Sequence, residues 1–269
     1  MARPTMPRPS GALPIQGYEH FTVDRTNVLV ASSLAATIRD ILRQGTLYKF
    51  ATSVPDAVVL HGRAPVYAFA MGPAHERVAI RHAMRGGWLA PLLGDRFFPP
   101  TRVMRELAAS VRLRVAGVPT PEVLAVVTYP AGRALRRADV VTRLVEGGAD
   151  LAAVFNDARN DAQRRPILDA VALLLTRLAA AGAQHPDLNL KNVLITATDD
   201  GYLAHILDVD RVHFHVPGDP LVARANLDRL VRSLRSWRQR SGVRAHAMPD
   251  ADIGYLALAV TAPTPAPAA

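Results

Sequence analysis

The sequence contains no cysteine among its 269 residues, and this absence excludes disulfide bridges and thiolate metal sites. It also lacks any stretch near the ~18–20 unbroken apolar residues of a membrane-spanning helix. Residues Met1–Leu13 have no apolar segment of the signal-peptide kind, so we expect no signal peptide. These absences together predict a cytoplasmic protein that at most binds to the cytoplasmic face of the inner membrane as a peripheral protein.

Aromatic residues are scarce, at 6% of the chain, and acidic residues are outnumbered by 32 basic to 23, which gives a net charge of +9. Such a surplus favours anionic partners: nucleic acid, phosphorylated small molecules or an anionic membrane surface. Binding to single-stranded nucleic acid needs aromatic stacking platforms, and the basic residues are spread over several predicted helices. We therefore expect no nucleic-acid partner.

A catalytic pattern stands out in the second half of the chain. Asp187 follows His185 by two residues, Asn192 follows Asp187 by five, and an apolar strand begins at once. This is the H-x-D-x-x-x-x-N spacing of a kinase catalytic loop. A second apolar run starts at His205 and ends in Asp208. We expect Asp187 to accept the proton of an attacking hydroxyl, while Asn192 and Asp208 hold Mg²⁺ against the phosphates of ATP.

The first half offers a cation and an acid for the same chemistry. The run Arg77–Arg81 resembles the V-A-I-K strand of kinases with Arg81 in place of lysine. Glu106 is the only acid on a predicted helix over Thr101–Ala116, so we expect it to brace Arg81 against the α- and β-phosphates. The alternatives are an outward-facing strand arginine and a solvated surface carboxylate.

Further candidate residues follow from position alone. Gly62 lies in a predicted hairpin turn that would cover the phosphates, Arg85 begins an Arg-Gly-Gly loop suited to an anion, and Glu146 opens a Gly-Gly hinge where adenine would bond the backbone. Contacts with the acceptor or its phosphates are predicted for a last set: Arg85, Asn189, Lys191, Asp210 and Arg211.

The order of elements predicts an α+β fold with two lobes. We expect a helix over Val28–Gln44, then strands over 56–60, 66–70, 77–81, 122–127 and 139–145 with the helix Thr101–Ala116 among them, and mainly helices from Asp150 onward. The predicted division is a disordered segment 1–17, a mainly β nucleotide-binding lobe 18–146, a mainly α catalytic lobe 147–261 and a disordered tail 262–269.

These residues together resemble a known family. The chain is similar to the lipopolysaccharide core kinases, the Kdo/WaaP group of the protein-kinase-like superfamily, and most similar to the Kdo kinase branch. The resemblance covers roughly Gly62 to Arg240 and is carried by five motifs: Val78–Gly87, Gly117–Pro121, Asp187–Asn192, Leu207–Arg211 and Asn226–Leu234. It implies a protein-kinase-like fold and ATP- and Mg²⁺-dependent phosphorylation of an inner-core sugar, the 4-hydroxyl of Kdo on lipid A. The implied partner is a lipid-linked core saccharide of the Kdo-lipid A type.

Two other functions stay open. A small-molecule phosphotransferase of the aminoglycoside or choline type shares the catalytic-loop spacing, and an inactive nucleotide-binding pseudokinase is kept open by Val209, where an aromatic residue is usual. We also expect reversible contact with an anionic membrane surface through two basic helices. The candidate residues are Arg102, Arg105, Arg112 and Arg114 on one helix, and Arg232, Arg235, Arg238 and Arg240 on the other.

Overall fold

An antiparallel sheet of seven strands forms the first part of the structure, a computed structural model that describes residues 15–60, 64–84, 94–98, 102–157, 161–240 and 249–261. Its spatial order is β1-β2-β6-β7-β5-β4-β3. The strands are β1 (Tyr18–Val23), β2 (Thr26–Ala31), β3 (Val58–Leu60), β4 (Val66–Met71), β5 (Glu76–His82), β6 (Val123–Pro130) and β7 (Arg136–Arg143).

Helices cover both faces of this sheet. The helices α1 (Ala35–Leu42) and α2 (Leu47–Ser53) share an apolar cluster with one face, and α3 (Arg102–Val115) packs Val103 and Leu107 against the other. Strand β6 is therefore apolar along nearly its whole length, since both of its faces are buried. Strand β5 pairs with β7 in a register that sets Arg81 opposite Val140, which places Arg81 on the side of α3.

The second part is mainly helical and carries short strands. Its helices are α4 (Leu151–Asp157), α5 (Asp161–Ala180), α6 (Pro220–Arg240) and α7 (Asp250–Thr261). A small sheet has the order β11-β10-β8, and a two-stranded sheet joins β12 to β9. Their bounds are β8 (Ala149–Asp150), β9 (Ala183–Gln184), β10 (Val193–Thr198), β11 (Gly201–Ile206) and β12 (His213–Phe214).

Helix α5 is the centre of the core in this part. Five of its apolar residues recur at helical spacing, and all are buried: Leu168, Val171, Leu174, Leu175 and Leu178. The same cluster includes Leu113 of α3, so α3 contacts both the sheet and the helical part. The predicted catalytic loop between β9 and β10 is thus fixed on a packed support. Within the described residues, no helix has both the length and the apolar character needed to cross a membrane.

The α+β class and the order of a sheet-rich part before a helix-rich part are confirmed. The helix predicted over Val28–Gln44 is wrong in its first part, because Thr26–Ala31 is strand β2 and the α-helix begins only at Ala35. Val28 and Val30 face the core at strand spacing and pair with β1 and β6. The exact lobe boundaries stay a prediction.

Candidate active site

The predicted catalytic loop is held in shape by hydrogen bonds from its own asparagines. Asn189 and Asn192 donate their side-chain Nδ2 atoms to the backbone oxygen of Asp187, at 2.9 and 2.8 Å. Asn189 also caps the 3-10 turn Leu190–Asn192 by accepting from the Lys191 backbone N–H at 2.9 Å. Two amides at the second and fifth positions after Asp187 therefore fold the loop back on itself. The Asp187 side chain is left to line a cleft.

His185 joins this loop to the segment that carries Asp208. Its Nε2 donates to the Leu207 oxygen at 3.1 Å, and the Leu207 backbone N–H donates to the Asn192 oxygen at 2.9 Å. Burial lowers the pKa of His185, and Nε2 carries a proton because a carbonyl oxygen can only accept. The other ring atom, Nδ1, is buried and has no hydrogen-bond partner among the residues that the structure describes. Asn192 and Asp208 are thereby held side by side.

Asp208 has an unusual backbone conformation. Its φ of 56° and ψ of 46° are left-handed, which is uncommon for a residue other than glycine. Burial and the neighbouring carboxylate of Asp210 raise the pKa of Asp208. A cation bound to its carboxylate would relieve both effects. Strained backbone at a charged cleft residue is typical of functional sites.

Arg81 and Glu106 meet as predicted. The Arg81 Nη2 donates to Glu106 Oε2, which links β5 to α3. Burial alone would lower the pKa of Arg81, but the adjacent Glu106 carboxylate outweighs it and the pKa is raised. The guanidinium therefore stays charged at the cleft wall.

A cleft of about 910 Å³ collects most of the predicted residues. Both parts of the structure contribute to its wall, and seven of the predicted residues line it: Arg81, Glu106, Asp187, Asn189, Lys191, Asn192 and Asp208. Charges of both signs thus converge on one concave space, and placed polar groups of this kind fix the orientation of a small-molecule ligand.

Other predicted residues are placed elsewhere. Asp210 is buried and bonded to Arg102, and Arg211 is exposed beside it. Glu146 is exposed and lies 3.8 Å from Arg77 Nε, so its side chain does not line the cleft. Gly62 and Arg85 lie outside the described residues, as do parts of the predicted lid and anion loop.

Sequence reasoning missed several residues of the cleft wall, among them Arg102, His82 and Asp150. Arg102 donates through Nε and Nη2 to the two carboxylate oxygens of Asp210, and its Nη2 is also 3.3 Å from Asp208 Oδ1. Its assignment to a membrane-facing surface was therefore wrong. The available signal was spacing, because Arg102 precedes Glu106 by four residues and so shares its helix face.

The oxygen atoms in the cleft fit a hard divalent cation. Because Nδ2 of Asn192 is bonded to Asp187, its Oδ1 is the atom left to bind a ligand. Asp208 Oδ2 has no hydrogen-bond partner within the described part of the chain, and only Oδ1 is approached by Arg102. Carboxylate and amide oxygens are ligands of Mg²⁺, which retains several waters besides. Asn192 and Asp208 would hold such an ion.

Comparison with known proteins points to one family. A model of the lipopolysaccharide kinase (Kdo/WaaP) family matches residues 66–257. A 3-deoxy-D-manno-octulosonic acid kinase of Actinobacillus succinogenes is 31% identical over 172 residues, which cover 62% of this chain and 69% of the relative. One from Xanthomonas oryzae pv. oryzae is 34% identical over 177 residues, covering 62% of this chain and 65% of the relative.

A solved structure, described as WaaP in complex with acyl carrier protein, is also similar. It is 15% identical, with a TM-score of 0.47, over 82% of this chain and 93% of that chain.

Proposed function

Because the chain belongs to the lipopolysaccharide kinase (Kdo/WaaP) family, we propose that it transfers the γ-phosphoryl group of ATP to the 4-hydroxyl of Kdo on lipid A. Its family membership makes the chain a phosphotransferase of lipopolysaccharide core assembly. The use of ATP and Mg²⁺, the sugar and its hydroxyl are the proposed parts. We also propose that the reaction takes place at the cytoplasmic face of the membrane, where a lipid-linked acceptor would be presented.

The observation that carries the proposal is the convergence of Asp187, Asn192, Asp208 and the Arg81–Glu106 pair on one cleft. Phosphoryl transfer requires positioning and charge neutralisation more than covalent chemistry. Asp187 would orient the acceptor hydroxyl and accept its proton. Arg81, held by Glu106, would neutralise the phosphates that are not transferred. When bound, Mg²⁺ would add charge neutralisation at the β- and γ-phosphates.

The test is phosphate transfer from ATP to Kdo-lipid A, with mass spectrometry to locate the new phosphate. We expect Mg²⁺-dependent product with the wild-type protein. Asp187→Asn should lower kcat by about 10²–10⁴-fold, the usual contribution of a general base. Binding of ATP should be nearly unchanged, because Asp187 would touch the acceptor rather than the nucleotide.

A matched control is Asp200→Asn, an exposed acid in the turn between β10 and β11, which should keep full activity. Equal turnover by Asp187→Asn would contradict the assignment of the base. Turnover on aminoglycosides or choline but not on the saccharide would favour the small-molecule phosphotransferase. Binding of ATP without transfer to any acceptor would indicate an inactive kinase.

A further inference from the structure

One motif of the chain has no role in the mechanism above: the Asn226–Arg229 stretch of α6, which lies directly under the catalytic loop. Asn226 is fully buried, accepts from the His185 backbone N–H at 2.9 Å and donates to the Ala183 oxygen at 2.9 Å. One helical turn further on, Arg229 donates through Nε to the Pro186 oxygen at 3.1 Å and through Nη2 to Asp187 Oδ1 at 2.8 Å. Helix α6 therefore reaches the side chain of the proposed base itself.

We propose that Arg229 is a positioning residue for Asp187 and that its charge allows an anionic acceptor to approach that carboxylate. The inference rests on the proposed function, since it assigns Asp187 as the base and an acidic sugar as the acceptor.

The geometry supports the positioning role. A guanidinium is a rigid planar fork, so its two bonds, to a backbone oxygen and a carboxylate oxygen, fix the Asp187 carboxylate relative to its own loop. The backbone oxygen of Asp187 is already held by Asn189 and Asn192. Across the described residues, Asp187 Oδ2 receives no hydrogen bond, so it is the oxygen left to accept from an acceptor hydroxyl. Without Arg229, the carboxylate would rotate and lose this orientation.

The charge supports the second role. Asp187 alone would repel an acceptor that carries carboxylate or phosphate groups, and the repulsion would be strongest as the hydroxyl reaches bonding distance. With Arg229 at 2.8 Å the pair is locally neutral. Lys191, exposed at the same cleft, adds a positive charge on the acceptor side. The site is thus suited to acidic acceptors more than to neutral ones.

A purely structural arginine would give a different result from a positioning one. If Arg229 only supported α6, its loss would lower stability and affect every substrate alike. If it positions Asp187, kcat should fall while KM for ATP is unchanged, and the fall should depend on the charge of the acceptor. Lysine at this position should restore the charge without the two-point geometry.

The experiment compares wild type, Arg229→Gln and Arg229→Lys on two probes: a Kdo-terminated saccharide and its carboxyl methyl ester. For Arg229→Gln we expect a loss in kcat of about 100-fold on the acid and about 10-fold on the ester, at or below the lower end of the ~10²–10⁴-fold contribution of a general base. Arg229→Lys should lose about 10-fold on both. Arg224→Gln on the same helix is the control, because Arg224 faces solvent, and it should match wild type.

Equal losses on acid and ester would overturn the charge role, and an unchanged kcat in Arg229→Gln would overturn the positioning role. Thermal melting of each variant separates these results from unfolding, and Arg229→Lys serves if the glutamine variant does not fold. If wild type phosphorylates neither probe, the proposed function fails while the inference stays testable. The rate of ATP hydrolysis by water should then be lower in Arg229→Gln than in wild type. The Asp187→Asn/Arg229→Gln double variant should hydrolyse ATP as fast as Asp187→Asn alone, and a lower rate in the double variant would overturn the positioning role.

Discussion

The Arg81–Glu106 pair shows how one ion pair links two elements of the cleft. The Glu106 side chain is 11% exposed and that of Arg81 is 32% exposed, so the pair is shielded from water more than a surface salt bridge. Breaking one partner leaves the other charge poorly compensated. The position and the charge compensation of each side chain therefore depend on the presence of the other.

We expect Arg81→Ala and Glu106→Ala to be strongly non-additive in kcat/KM. Each single variant should lose most of what the double variant loses, because either change removes the same arrangement. Steady-state kinetics of the four proteins measures the coupling. Strictly additive losses would show that the two side chains act separately.

His82 forms a second charged cluster beside Arg81. Its Nδ1 is 2.6 Å from Asp139 Oδ1 and its Nε2 is 3.0 Å from Asp95 Oδ2, so each ring nitrogen faces a carboxylate and the arrangement favours the imidazolium form. Asp139 also accepts from Tyr129 Oη and the Tyr48 backbone N–H, and Asp95 is paired with Arg137. The hydrogen bond to Asp139 raises the pKa of His82, although burial opposes it.

This raised pKa gives a pH-dependent contribution to stability. Because the folded-state pKa lies above the ordinary value of 6.5, the contribution is complete below about pH 6.5 and is lost as the pH rises through the folded-state pKa. We expect the melting temperature of wild type to fall over that range more steeply than that of His82→Gln. His20→Gln, at an exposed position of β1, should keep the wild-type slope. Parallel curves for wild type and His82→Gln would contradict the assignment.

At the scale of elements, α3 connects the two halves of the site. Glu106 holds Arg81 of β5, and Arg102, one turn earlier, holds Asp210 in the 3-10 turn after Asp208. The hydrogen bonds to Asp210 raise the pKa of Arg102, so the Arg102 guanidinium stays charged. A shift of α3 would therefore displace Arg81 and the segment of Asp208 together, which are the proposed phosphate-binding cation and the proposed metal ligand.

The end of α5 depends on a glycine next to the catalytic loop. Gly182 has a φ of +65°, and a Cβ at this position would lie 2.4 Å from the backbone oxygen of His215. The backbone N–H of His215 also donates to the Gly182 oxygen at 2.8 Å, which begins the pairing of β9 with β12. A side chain here would separate these strands.

We expect Gly182→Ala to lower the free energy of unfolding by about 2–5 kcal/mol, the sum of left-handed backbone strain and overpacking. Gly117→Ala is the matched control. Gly117 ends α3 with a φ of +73°, but among the described residues no neighbouring atom lies within 4 Å of its would-be Cβ, so we expect a loss of only about 1–2 kcal/mol. Urea denaturation measures both. Similar losses would mean that the His215 backbone yields to the added methyl group.

The elements best predicted from sequence are those with a clear period and a clear end. Helix α5 has a regular apolar face before Gly182, and α3 ends just before Gly117. Strand β2 was missed because its apolar residues run into those of α1, which mimics one helical pattern. Helix α7 was not predicted, since Asp250–Thr261 is apolar on most sides and has no distinct polar face.

The residues of the candidate site could be predicted where they are close in sequence. Asp187, Asn192 and Asp208 follow from the spacing of two adjacent segments, and Glu106 from being the only acid on the helix after β5. Contacts between residues far apart in sequence could not be predicted. Arg102 is hydrogen-bonded to Asp210, 108 positions away, and Arg229 to Asp187, 42 positions away. From sequence alone, an arginine on the polar face of an amphipathic helix is predicted to be solvent-exposed, because the sequence does not show which residues pack opposite it.

At the scale of the whole molecule, several of the arginines that give the chain its positive charge make contacts within the fold. Of the arginines on α3 that were predicted to face a membrane, Arg102 is bonded in the cleft, Arg112 stacks on Phe214 and Arg114 pairs with Glu122. On α6, Arg238 pairs with Asp250. Arg105 of α3 is exposed, as are Arg232 and Arg235 of α6. Because Arg232 and Arg235 lie three positions apart on one helix, they are the pair that we take as the candidate contact with an anionic surface.

We therefore expect weak, reversible binding to anionic vesicles that depends on Arg232 and Arg235. Near an anionic leaflet a basic residue contributes on the order of 1 kcal/mol, about fivefold in affinity, and the attraction decays within about 8 Å at physiological salt. Replacing both arginines by glutamine should weaken co-sedimentation with vesicles of phosphatidylglycerol by about 25-fold at low salt. Replacing the exposed Lys49 and Arg133 by glutamine removes the same charge elsewhere and should have a much smaller effect. Equal weakening by the two double variants would indicate that net charge alone drives binding. Equal binding of the wild-type protein to neutral vesicles would exclude electrostatic docking, because a charge-driven contact must need anionic lipid and disappear at high salt.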